Sequence, residues 1–142
     1  MTTQPIGAAL RAHLAAQPAV AALLGDEIAA EIFRFYPLRL PQNPVLPAAT
    51  YQLVSAPRLY SQEPSPAAVR ARYQITIYAQ TEMQVQAVAT AIEAAMGGYS
   101  GLLDQADATC FVENVLDGFD PDTNLMAVTM DVLILHEQVV PA

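Results

Sequence analysis

The sequence predicts an α+β domain. It consists of a mixed, mostly antiparallel sheet of about four to five strands, with an N-terminal helix and one long helix (about 81–96) packed on one face. Three observations carry this expectation. In residues 69–98, VRARYQITIYAQTEMQVQAVATAIEAAMGG, an alternating strand runs without a long loop into an amphipathic helix that stops at a glycine pair. Two further apolar runs, Thr109–Leu116 and Leu125–His136, are joined by a short acidic connection and read as an antiparallel pair. Ahead of these, a proline-started helical stripe gives way to a segment broken by Pro37, Pro41, Pro44 and Pro47.

Taken in chain order, Pro5 suits the first turn of a helix over about residues 5–16, with Ile6, Ala9, Leu10, His13 and Leu14 on one stripe. Pro18 opens a second short helical turn, Ala19–Leu24, closed by Gly25. Ile28–Phe35 reads as a strand of imperfect alternation, and a helix stays open there. Tyr36–Pro47 is an extended, proline-stiffened loop, Ala49–Ser55 a strand, and Pro57–Pro66 another loop. In the next strand Tyr73, Ile75, Ile77 and Ala79 share one face, with Gln74, Thr76 and Tyr78 on the other. Thr81 is a good N-cap, and Gln84 three residues on completes a capping-box pattern. Val85, Val88, Ala89, Ile92, Ala95 and Met96 then form the helical stripe, which Gly97-Gly98 can end in the left-handed conformation. Tyr99–Asp107 reads as a linker, and Asp117–Asp122 as a turn-rich connection. In the last strand Met126, Val128, Met130, Val132 and Ile134 share a face. Val139–Ala142 is a tail that either adds a pairing edge or stays loose.

The 142 residues fit a single domain, 1–142, large enough for a core without disulfide or metal staples. Hydrophobic residues make up 54% and charged residues 14%, which excludes global disorder. So low a charged fraction suits apolar surface covered by partner subunits, and equally a plain alanine-rich domain. No basic start or bilayer-length apolar run occurs, so neither a signal peptide nor a membrane span is expected. The charges are segregated. Residues 1–72 hold all six arginines against four acids, whereas residues 73–142 hold ten acids and no Lys or Arg. Without a basic stripe, direct sequence-specific nucleic-acid binding is not expected.

Catalytic signatures are missing, and the expectation is a protein that is not an enzyme and carries no cofactor. One cysteine, Cys110, in an alternating run reads as a buried, inert thiol and excludes a disulfide or a cysteine zinc site. His13 and His136 lack metal-ligand spacing. A Cys110–His136 nucleophile and base on neighbouring strands would want an orienting third group. Asp117, Asp120 and Asp122 around Gly118 resemble a calcium loop, but no acid closes it at the required spacing. More unusual are two Pro/Arg/aromatic loops, Phe35–Pro47 and Ala56–Arg72, longer than a compact domain needs. Either they are ordinary surface loops or they are docking arms, with Arg and Tyr as anchors and Pro lowering the ordering entropy lost on binding. Arg39, Arg58, Tyr60, Arg70 and Arg72, with Asp117, Asp120 and Asp122, are the candidate interface residues.

Several segments together resemble a phage family: ALRAHLAAQPAVAALLGDEI, then a proline-rich turn into LPAATYQLVSA, then VRARYQITIYAQTEMQVQAVATAIEAAM. They are similar to the tail-completion or tail-terminator proteins of long-tailed phages, prophages and gene-transfer particles. The family's Gly-Asp-Arg-Ile-like step reads Gly25-Asp26-Glu27-Ile28 here. The resemblance implies a virion protein at the head-proximal end of the tail, assembled in the host cytoplasm. It also implies a ring, commonly sixfold, that ends tube polymerisation and meets the head connector. Its partners would be itself, the tail tube protein and the connector or stopper protein. A head-completion (stopper) protein is the neighbouring alternative, and a small ligand-binding or regulatory module the alternative from another class.

Overall fold

Alternation over Ala68–Ala79 builds the central strand, because every second side chain from Val69 to Ala79 can enter one core. The computed structural model describes residues 6–27, 32–59, 68–103 and 106–137. These form helices α1 (Gly7–Ala15), α2 (Pro18–Leu24) and α3 (Glu82–Met96). The strands are β1 (Phe35–Pro37), β2 (Ala48–Ser55), β3 (Arg58–Leu59), β4 (Ala68–Ala79), β5 (Ser100–Leu103), β6 (Ala106–Asp120) and β7 (Leu125–Glu137). One sheet runs in the order β1-β2-β4-β7-β6-β5, with β3 beside the start of β4. Only the β1–β2 pair is parallel. The expected α+β architecture is therefore present, with seven strands where four to five were expected.

Three features hold the helical layer on the sheet. The Thr81 hydroxyl accepts the Gln84 N–H at 3.2 Å and caps α3, and Val85, Val88, Ala89, Ile92 and Met96 turn inward. The helix ends where the Gly97 N–H bonds the Glu93 carbonyl at 2.7 Å, and Gly98 takes the positive φ of 74° that a side chain would resist. Leu10 and Leu14 of α1 and Val20 and Leu24 of α2 join the same core as Ile75, Ile77, Met130, Val132 and Ile134. After α2, Gly25 sits at φ 115°, and a Cβ there would lie 2.1 Å from the Ile32 carbonyl oxygen, so glycine is required.

The differences from expectation share one cause: edge pairing is a long-range property that local pattern does not carry. Tyr99–Asp107 is not a linker, because Ser100–Leu103 pairs with Ala106–Thr109 as β5. The strand expected over Thr109–Leu116 runs from Ala106 to Asp120, and the turn shrinks to residues 121–124, where Asn124 adopts φ 61°. A one-residue phase change along it is absorbed by a bulge between Val112 and Asn114, with Glu113 the extra residue. Of the strand expected over Ile28–Phe35, residues 32–34 are irregular and only Phe35 enters a strand; Ile28–Glu31 lie outside the described residues. Tyr36 and Pro37, expected in the loop, belong to β1, and Arg58–Leu59 of the second loop form β3. The tail Val139–Ala142 also lies outside the described residues.

Candidate functional site

Arginine placement separates structural from available charge. Arg11 donates to the carbonyls of Phe35 and Phe33 at 3.2 and 3.0 Å, pairs with Glu27 at 2.8 Å and lies over the Phe33 ring. Arg34 bridges the Pro47 and Leu23 carbonyls at 2.8 and 2.9 Å. Both tie the N-terminal helices to the β1–β2 margin. Neither is in the expected interface set.

That set falls into three places. Arg70 and Arg72 lie on the helix-free face of β4, opposite Leu135 and Leu133 of β7. Arg70 is exposed, whereas Arg72 pairs with Glu113 of the β6 bulge at 2.6 Å. Arg58 is opposite Val69 at the start of β4. Arg39 stands apart, exposed just beyond β1. Asp117, Asp120 and Asp122 gather at the far end of the β6–β7 hairpin. Asp117 accepts from Gln86 of α3 at 2.8 Å, and the Asp120 carboxylate accepts the Asp122 N–H at 3.0 Å. Tyr60 lies outside the described residues.

The local chemistry is quiet. Burial alone pushes the Cys110 thiol up to about 11, the reverse of a reactive thiolate. His136 faces Ala108 across the strands, while Cys110 faces Ile134. His13 lies against the Tyr99 ring, with centroids 4.1 Å apart. Among the described residues no group of three or more His, Cys, Asp or Glu is placed to hold a metal ion, and no helix is long and apolar enough to cross a membrane. A groove of about 340 Å³ between α3 and the hairpin is lined by Glu82, Val85, Gln86, Asp117, Phe119 and Met126.

What sequence reasoning missed is the pattern of exposed apolar side chains. Ile32, Leu38, Val45, Leu53 and Val54 flank the β1–β2 edge of the sheet. Leu102, Phe111, Val115, Leu116 and Phe119 flank the β5–β6 edge, and among the described residues only Met83 is a large exposed hydrophobic elsewhere. A signal for the second group was present: Phe111-Val112 and Val115-Leu116 are apolar doublets, which put hydrophobic side chains on both faces of a strand. Scattered singly such residues mean little, whereas here they gather at the two margins of the sheet.

Fold and surface together define a class: an α+β building block whose sheet is backed by helices on one face and flanked by two apolar margins. The chain belongs to the tail completion protein gp17 family, whose model matches residues 8–137. It is thus a structural protein of phage-type tails. Among solved structures it is similar to a chain of the virion of a native gene transfer agent particle, with TM-score 0.67, 16% identity and 92% of each chain covered; at that identity the likeness shows the fold. No curated protein matches.

Proposed function

We propose that this protein caps the head-proximal end of the tail tube as a ring, stops tube polymerisation and provides the surface that meets the head connector. Family membership across residues 8–137 carries the reading. Two unlike apolar margins on one subunit support it, because closed rings need heterologous, head-to-tail contacts between different patches. The partners on this reading are further copies of the chain, six to a ring, the tail tube protein and the connector or stopper protein.

The test is electron microscopy of particles produced without this protein. Tubes of uncontrolled length with heads unattached are the expected result. Tails of normal length would reject termination; if such tails were also unjoined to heads, the role would move to the connector.

A further inference from the structure

We infer that adjacent copies of this chain join edge to edge, with the Leu38–Val45 segment of one copy seated on the open outer edge of β6, residues 111–120, of the next. The inference rests on the ring reading above and specifies the contact that would close the ring.

Charge separates the two edges as sharply as apolar exposure pairs them. Residues 32–58 contain Arg34, Arg39 and Arg58 and no acid. Residues 100–124 contain six acids, among them Glu113, Asp117 and Asp120, and no Lys or Arg. Arg34 is bound to the Pro47 and Leu23 carbonyls and Arg58 lies beside β4, so Arg39 is the exposed cation at the β1–β2 side. The β6 side exposes Glu113, Asp117 and Asp122; such complementarity sets register and orientation between subunits.

Backbone pairing is equally unlike at the two sides. β1 is a blunted edge: the Phe35 N–H bonds the Phe33 carbonyl, Arg11 occupies the Phe35 carbonyl, Pro37 has no N–H, and its carbonyl accepts the Arg39 N–H. β6 is the reverse. β5 covers it only through Thr109, Tyr99 and Gly98 engage Cys110, and among the described residues no strand lies beside 111–120. Strand-to-strand growth through β1 is thus blocked, while β6 offers an edge that a neighbour must cover. Two β6 edges meeting each other would set acids against acids, which disfavours a twofold pair.

The register brings the two surfaces level. Pro37, Tyr51, Ile75, Met130 and Val115 lie in one row across the sheet. Beyond Pro37 the chain turns at Leu38, φ 68°, and Arg39 follows at that end of β1, its N–H bonded to the Pro37 carbonyl.

Cysteines at two exposed positions outside the proposed anchors, Gln42→Cys and Asn114→Cys, test the contact in assembled particles with a short bis-maleimide. The native Cys110 is buried and stays silent. The chain carrying both cysteines should give a ladder of dimers and higher species, and each single variant should remain a monomer. A dimer from Asn114→Cys alone would mean that like edges meet and would overturn the inference. So would a conjugate to a different particle protein, or no ladder. Tail length is read separately in the same preparations: controlled length without a ladder sinks the contact alone. A ladder, with tails still of normal length when the protein is deleted, sinks the terminator reading alone.

Discussion

The centre of the sheet and the outer half of β6 are built from similar residues and behave oppositely. On β4, Ile75 and Ile77 are fully buried beneath α3. On β6, Val115 and Phe119 point to the same side of the sheet, paired with Met130 and Met126, yet remain 38% and 51% exposed. The difference is coverage: α3 packs directly on β4 and β7, whereas a groove stays open between α3 and the outer end of β6. Apolar residues at the centre stabilise the fold, whereas those on the outer β6 margin are free to stabilise an assembly.

Substitutions should break or sharpen that contrast. Ile77→Ala removes packing from beneath the helix and should destabilise the monomer by about 2–5 kcal/mol in denaturant melts. A loss near zero would mean the centre is no better packed than the margin. Next comes alkaline pH. Burial holds the Cys110 thiol up near about 11 against an ordinary 9.0. The unfolded chain therefore loses its proton first, and stability should fall as pH rises from about 9 to 11, by roughly 2 kcal/mol. Tyr73, raised chiefly by burial with Tyr51 adding to it, drives the slope in the same direction. Cys110→Ala should flatten the slope in part, leaving the tyrosine's share.

Thr81→Ala deletes the α3 cap and should cost about 1 kcal/mol, measured by the shift of the urea midpoint. Arg72→Met breaks the ion pair with Glu113, but both side chains are 37% exposed and solvent screens them. Its effect on the monomer should stay below about 1 kcal/mol. Smallest of all, Phe119→Ser should leave monomer stability within about 0.5 kcal/mol. Its effect should appear in assembly instead, as loss of the cross-linked ladder; a matching fall in monomer stability would place Phe119 with the core.

Much of this was legible in the chain. The β4–α3 block was readable because a strict period of two followed by a capped period of 3.6 is local information, and burial in the structure follows both. The segregation of arginines from acids was visible too, although its geometry was not. Arg70 and Arg72 attracted attention as neighbours in a loop, and the structure instead places them on the sheet face, with Arg72 already paired to Glu113 forty-one residues away. By itself the sequence determined the α+β class, the central strand and its helix, and the inert character of Cys110, because each depends on neighbouring residues. Only the tertiary structure decided the sheet order, the pairing of β5, the extent of β6 and which apolar side chains remain uncovered. Those depend on which distant segment lies alongside, and that is settled when the whole sheet closes over one core.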